Sequence, residues 1–334
     1  MSDYDRILLA HGSGGRMAHD LVSKRFVSAL NNPLLAKLDD SAVVLFEGRL
    51  AFTTDSYVVS PIFFPGGDIG KLAVCGTVND LAMSGARPLY LSLAVIIEEG
   101  LPLEDLDRIV ASIKSASDEA GVDIVTGDTK VVHRGAADRI FINTAGIGLI
   151  QEGVDISGGN ARPGDAVILS GTIGDHGIAV LSKREGLSFS TTLESDCAPL
   201  NGLVTAMMET CPDIHSLRDP TRGGLATTLN ELAQQSNVGI MIDEEAIPVR
   251  EEVAAACEML GLDPLYIANE GKLIAIVPPS DAVLEAMRRH PYGRDAAVIG
   301  EVSGGHPGRV VMRTAIGSSR IVDMLTGDPL PRIC

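Results

Sequence analysis

The chain ends in a cysteine, Cys334, carried on the segment Thr-Gly-Asp-Pro-Leu-Pro-Arg-Ile-Cys. Pro329 and Pro331 favour an extended, polyproline-like arm. From Gly327 such an arm reaches roughly 20–25 Å when fully extended. A thiol on a stiff arm can be delivered to another site. Composition by itself favours a frayed end that happens to finish in cysteine, although soluble proteins avoid exposed free thiols. The other cysteines, Cys75, Cys197, Cys211 and Cys257, are scattered and form no Cys-x-x-Cys pair. The expectation is reduced thiols in a cytoplasmic protein, with neither a disulfide framework nor a structural zinc site.

Several aspartates stand where hard oxygen ligands are useful. Asp55 ends an apolar strand pattern, Asp40 precedes another, and Asp128 sits inside a third. Asp80 falls at the centre of the stripe Ile69, Leu72, Ala73, Gly76 and Met83, at helical spacing. A carboxylate there needs a partner or a cation. Taken one at a time, each aspartate reads equally as a cap or turn residue. Taken together they suit Mg²⁺, which commonly bridges to nucleotide phosphates. His11-Gly12-Ser13-Gly14-Gly15 precedes a helical pattern from Arg16 to Leu30 and fits either an anion-binding turn or a flexible cap. Asp219-Pro220-Thr221-Arg222-Gly223-Gly224-Leu225 opens a second helix; Arg222 can meet a phosphate, and the glycine pair allows close approach. Glu270, in Asn269-Glu270-Gly271, places a carboxylate on a turn. Two glycine-rich stretches are decoys. Gly66–Leu72 lacks the Walker spacing and Gly171–Gly177 lacks the dinucleotide fingerprint.

Elements must bring these residues together. Ser41–Phe46 and Leu50–Thr54 read as paired strands, and Asp68–Met83 as a helix. Leu89–Ile97 reads as a buried strand, Leu103–Ala120 as an amphipathic helix, and Val122–Val132 and Arg139–Ile150 as strands. The turn-rich run Ser157–Asp165 marks a boundary. A second α/β unit follows, from a strand at Ala166–Leu169 through helices and strands to a helix at Asp281–Arg289 and final strands near Val298 and Val310. The expected division is residues 1–156, 157–325, and a mobile tail, 326–334. Such a length of 334 residues suits two domains. Lys and Arg number 27 against 44 Asp and Glu, a net charge of −17, and aromatics are 4%. That balance argues against nucleic-acid binding, which needs clustered cations or stacking platforms. No apolar run reaches the ~20 residues of a membrane span.

These motifs together resemble a known family. His11–Gly15, Asp40-Ser41-Ala42, Thr54-Asp55-Ser56, Val78–Ala86, Thr126–Lys130, Asp219–Leu225 and Asn269-Glu270-Gly271 recur in this order in the HypE family of hydrogenase maturation proteins. That family lies within an ATP-dependent superfamily that includes aminoimidazole ribonucleotide synthetase, selenophosphate synthetase and thiamine-monophosphate kinase. Val78–Ala86 is a superfamily motif, whereas Pro331-Arg332-Ile333-Cys334 is specific to the HypE family and favours the arm over the frayed end. The resemblance implies a two-domain α/β (α+β) fold whose first-domain sheets form a shared barrel in a homodimer. It implies ATP and Mg²⁺ as cofactors. It further implies that a HypF carbamoyltransferase loads a carbamoyl group onto Cys334. ATP then drives its dehydration to a thiocyanate, and the cyano group passes to a HypC–HypD complex for the iron of [NiFe]-hydrogenase. In that scheme Asp40, Asp55, Asp80 and Asp128 hold metal. Lys130 meets phosphate or the amide oxygen, and Glu270 accepts a proton. His133 neighbours the tail cysteine. His11, Gly12, Ser13, Gly14, Gly15, Asn79, Thr221, Arg222, Gly223 and Gly224 contact the nucleotide. A small-molecule enzyme of the same superfamily, or a scaffold that only presents its tail, are the competing expectations.

Overall fold

The computed structural model describes residues 5–12, 15–38, 41–187, 193–325, 327 and 330–334. In the first half, α1 (Arg16–Leu21) runs through a π turn, Val22–Val27, into α2 (Ser28–Leu30). Next come β1 (Arg49–Tyr57), the two-residue strands β2 (Phe63–Phe64) and β3 (Gly67–Asp68), and α3 (Ile69–Met83). β4 (Ala86–Glu98), α4 (Leu103–Ala120), β5 (Asp123–Val132) and β6 (Ile140–Ile150) complete it. The four long strands form one sheet in the order β1-β6-β4-β5, with only β4 and β5 parallel. α4 buries Leu106, Ile109, Val110 and Ile113, the stripe its apolar spacing dictates.

α3 departs from the single-stripe expectation. Every residue of it is buried apart from Lys71 and Asp80. The reason is its central place: it touches β1, β4, β6 and α4 in the first half, and α6 and β8 in the second. Asp68 caps its start, accepting from the N–H groups of Gly70 and Lys71 at 2.8 and 3.1 Å. Asp80 is therefore the point where a wholly buried helix opens onto a cleft.

The second half contains β7 (Ala166–Leu169), α5 (Asp175–Glu185), α6 (Asn201–Thr210), β8 (Ser216–Arg218), α7 (Gly224–Ser236) and β9 (Gly239–Asp243). It continues with α8 (Glu251–Leu260), β10 (Ile274–Val277), α9 (Asp281–Arg289), β11 (Ala297–Ser303), β12 (Arg309–Arg313) and β13 (Ser319–Val322). Its seven-stranded sheet has the order β13-β12-β9-β11-β7-β10-β8. Alternation along β7 sends Val167 and Leu169 into the core under α7, and Ile168 into the core under α6 and α9. The result is a two-domain α/β protein.

Ser41–Phe46, expected as a strand, has no strand pairing. Val43 is 74% exposed and Leu45 99% exposed, and on β1 Phe52 is 72% exposed. Their apolar pattern is real, but no other described segment of the chain covers these side chains. Three short strands, β2, β3 and β8, and the last strand β13 were not apparent in the sequence, being too short or too polar to show a period.

Candidate active site

The tail is seated rather than free. Leu330 and Ile333 are buried in the core cluster that contains residues of the first sheet, α5 and α8. The segment after β1 holds the tail's backbone: Val58 N–H donates to the Cys334 carbonyl at 3.2 Å and Ser60 N–H to the Arg332 carbonyl at 3.1 Å. Arg332 has φ +55°, a left-handed kink unusual outside glycine. Its guanidinium donates to the Val58 carbonyl at 3.0 Å and pairs with Asp138 at 2.8 Å. Cys334 thereby ends in a cavity of about 350 Å³ whose lining includes Val58, Arg222, Gly223, Tyr266 and Ala268. Arg222 Nη2 approaches its Sγ to 3.6 Å. Burial pushes the Cys334 thiol up to about 12, the Glu270 charge adds to this, and Arg222 opposes it.

Arg222 is placed by the turn that opens α7. Gly223 and Gly224 take φ of +79° and +62°, and a Cβ on Gly224 would lie 2.6 Å from the carbonyl oxygens of Leu265 and Ile267. The pair lets this turn pack against 265–268, the segment leading to Glu270. Asn269 locks the same junction, accepting from Gly174 N–H at 2.7 Å and donating to the carbonyls of Pro220 and Ile267 at 3.0 and 2.9 Å. Glu270 is buried. Its N–H donates to Asp196 Oδ1 at 3.1 Å, while its Oε1 has no hydrogen-bond partner among the described residues. Burial first, then surrounding acidic groups including Asp219, Asp196 and Asp55, hold its carboxyl well above the usual range.

Beside this lies a cleft of about 470 Å³ lined by Asp80, Arg218, Asp219, Thr221, Arg222 and Gly223 among others. Burial raises Asp80, and the Thr53 hydroxyl, donating at 2.9 Å, works against that. Asp219 is pushed up to about 7, by burial and then by the charge of Asp80, with Asp55 adding. Asp219 stood in the sequence only as a helix opener; its acidic-Pro-Thr-Arg-Gly-Gly setting was the signal for a ligand. Asp80 and Asp219, both raised by burial and by neighbouring charge, together with Asp55 are a donor set suited to a divalent cation. Among the described residues no three ligating side chains converge closely enough to form a cage unaided. Mg²⁺ typically completes its shell with phosphate oxygens and water, so the set fits it.

Of the four aspartates expected to hold metal, Asp128 stands apart from Asp55 within this chain. Asp128 is exposed on β5, paired with Lys130 Nζ at 2.7 Å, which lowers its pKa. Its register runs Asp128–Ala94–Asn143–Ser56 across the sheet, so β4 and β6 separate it from Asp55. The cause is strand order, which local spacing does not encode. His11, Gly12, Ser41 and Thr126–Lys130 instead border a separate cavity of about 360 Å³ that also has apolar walls such as Phe26, Leu30 and Leu93. His11 is buried, accepts from Leu8 N–H at 2.9 Å, and has its pKa lowered by burial. Gly12 permits a close pass of β5: a Cβ there would meet Val131 N at 2.7 Å. Gly15 is exposed ahead of α1, while Ser13, Gly14 and Asp40 lie outside the described residues.

Two further expected residues stand away from the thiol cavity's lining. Asn79 is engaged within the protein. It is buried, donates to the carbonyls of Ala198 and Glu270 at 3.1 and 3.3 Å, and accepts from Leu200 N–H at 2.7 Å. It staples α3 to the loop before α6 and to Glu270. His133 is exposed on the turn after β5, and the residue of that connection that meets the tail is Asp138.

Comparison with known proteins follows the same lines. The model for the AIR synthase related protein, N-terminal domain, matches residues 38–150, and that for the C-terminal domain matches residues 162–313. Carbamoyl dehydratase HypE of Azotobacter vinelandii is 57% identical over 329 residues, 98% of this chain and 96% of that protein. The structure of hydrogenase maturation protein HypE in complex with ATP aligns with a TM-score of 0.96 at 55% identity, covering 98% of this chain and 99% of that one. A chain of a HypE–HypF complex aligns with a TM-score of 0.81 at 53% identity, covering 91% and 99%.

Proposed function

The chain belongs to the carbamoyl dehydratase HypE family, built on the two AIR synthase related domains, and from that premise we propose how its own residues carry out the reaction. It is an ATP-dependent carbamoyl dehydratase of hydrogenase maturation. The substrate is a carbamoyl group on Cys334. The observation that carries this assignment is the seated thiol, 3.6 Å from Arg222 and within the field of buried Glu270.

The chemistry follows from leaving groups. An amide oxygen leaves poorly as oxide and well as phosphate. The S-carbamoyl oxygen takes the γ-phosphoryl of ATP, the two N–H protons are lost, and the C–O bond breaks to release phosphate. Cys334 is left as a thiocyanate beside ADP and phosphate. Arg222 steadies the thiocarbamate and the charge that builds on the oxygen. Glu270 takes a proton from the amide nitrogen; its elevated pKa makes the ionised form a strong acceptor. Asp55, Asp80 and Asp219 would hold Mg²⁺, which neutralises phosphate charge when bound. Thr221, Arg222 and Gly223 line the same cleft and would meet the nucleotide there.

HypF, the partner in the related complex, loads the carbamoyl group, and a HypC–HypD complex receives the cyano group. The exposed apolar face of Val43, Leu45 and Phe52 is covered by a second copy, whose sheet closes a barrel with this one. That pairing gives Lys130 and Asp128, on the strand furthest from β1, a nucleotide to serve across the interface. Residues 1–156 form the nucleotide and dimer domain, 157–325 the second domain and 326–334 the tail. Among the described residues no helix is long and apolar enough to cross a membrane, in keeping with a cytoplasmic site of action.

The test is intact mass after incubation with a HypF-type carbamoyltransferase, carbamoyl phosphate and ATP. Gain of one carbamoyl group, then loss of one water, both on the peptide ending in Cys334, is the expected result. Labelling that persists on Cys334→Ala refutes the acceptor assignment.

A further inference from the structure

The tail is held from outside its thiol pocket as well as within it. Arg184, on α5, directs its guanidinium at three main-chain carbonyls. Nε donates to Ser60, Nη1 to Pro331 and Nη2 to Arg332, each at 2.7 Å. About two turns earlier on the same helix, fully buried His176 has Nε2 2.9 Å from the Ile333 carbonyl and Nδ1 2.8 Å from Ser195 Oγ. A carbonyl only accepts, so Nε2 carries the proton and the Ser195 hydroxyl donates to Nδ1. Phe64 packs edge-on against the ring at 5.4 Å, fixing it.

We propose that Arg184 and His176 are positioning residues forming a dock for the tail backbone, and that this dock sets the fraction of molecules with Cys334 seated. The proposal rests on the reading of Cys334 as the acceptor. Two features distinguish the dock from ordinary packing. Among the described residues of the tail it reads main-chain carbonyls and not the thiol, so it holds a free and a carbamoylated tail alike. It also spans both halves of the chain, because Ser60 follows β1 whereas Arg184 lies in the second half. The seat therefore exists only while the halves are together. The left-handed turn at Arg332 is a conformation that L side chains resist, so the tail needs such a clamp to stay in.

The experiment is iodoacetamide labelling of the full-length protein, followed peptide by peptide, with Cys211 as an internal reference remote from the tail. Arg184→Ala is expected to raise the Cys334 labelling rate about ten-fold while Cys211 and the melting midpoint stay as in the parent. Arg184→Lys, which keeps one donor, falls between. On protein carbamoylated beforehand, Arg184→Ala lowers kcat for dehydration and leaves KM for ATP unchanged. Cys334 labelling at the parental rate in both variants overturns the dock, whatever dehydration does. Faster labelling in a protein whose parent never dehydrates its tail keeps the dock and refutes the catalytic reading instead. If Arg184→Ala fails to fold, Arg184→Lys alone decides.

Discussion

Docking of the unmodified tail depends on pH, with a sign set by the thiol. Cys334 seated has its pKa at about 12 against an ordinary value of 9.0. The seat therefore accepts the protonated thiol and disfavours the thiolate. Linkage gives the consequence: docking is at full strength below the released pKa and is lost as pH rises toward the seated one. Three units correspond to about 4 kcal/mol across the whole window, or a factor of about ten per pH unit above 9. Between pH 8 and pH 10 the ratio of seated to released tails thus falls about ten-fold relative to a tail that does not titrate. The non-titrating reference is Cys334→Ser, similar in size and neutral throughout. Trimming by an alkaline protease such as subtilisin, with the shortened chain quantified by mass, reports the released tail. The ratio of parental to Cys334→Ser trimming rates should stay near its neutral-pH value up to about pH 8, then climb without levelling off by pH 10. A carbamoylated tail, having no ionisable thiol, should follow the serine curve. Superimposable curves for parent and Cys334→Ser would refute the claim that burial and Glu270 govern the thiol.

Glu270→Gln should leave carbamoylation intact and slow dehydration by about 10²–10⁴-fold, the usual yield of a positioned base; an undiminished water-loss step in the mass assay removes Glu270 from that role. Asp219, raised from 3.8 to about 7, contributes stability that is full below 3.8 and lost as pH rises through 7. Asp219→Asn should therefore raise the melting midpoint more at pH 8 than at pH 5, and equal shifts at both would contradict the mutual repulsion with Asp80. Asn79→Ala removes three buried hydrogen bonds between α3 and the second half. It should cost about 3 kcal/mol in denaturant unfolding, and a loss below about 1 kcal/mol would mean the staple is dispensable.

What the sequence revealed depended on how local the determining physics is. α4 and α9 have the expected bounds because amphipathic spacing and flanking turns are local signals. β7 matches for a related reason, a short apolar run bounded by turn residues. Asp80 was singled out correctly as an awkward carboxylate, but on a stripe that does not exist, since α3 is buried on all sides. Asp128 was grouped with Asp55 because both stand beside threonines in apolar strand patterns, and the strand order β1-β6-β4-β5 separates them. Asp219 was overlooked because a helix-opening aspartate looks the same whether or not two other carboxylates face it. Arg184 and His176 carried no motif at all; their importance comes from meeting a tail 147 and 157 residues away in sequence.

The acidic surroundings of Cys334 divide the two half-reactions. Accepting a carbamoyl group requires a nucleophilic thiolate, and the seated thiol is held away from that state by burial and by Glu270. Loading therefore belongs to the released tail, on the surface of the transferase. Once carbamoylated, the sulfur has no proton to lose and the group is neutral, so the same seat takes it without the charge conflict that excludes the thiolate. Glu270 then serves both purposes with one property. Its buried carboxyl, whose Oε1 has no hydrogen-bond partner among the described residues and which burial and then acidic neighbours raise, opposes a second negative charge at sulfur when ionised, and in the proposed scheme accepts a proton from the amide nitrogen. In the proposed scheme a cation held by Asp55, Asp80 and Asp219 would offset the neighbouring charge that helps burial raise Glu270, so that proton acceptance would be tied to the presence of the phosphoryl donor.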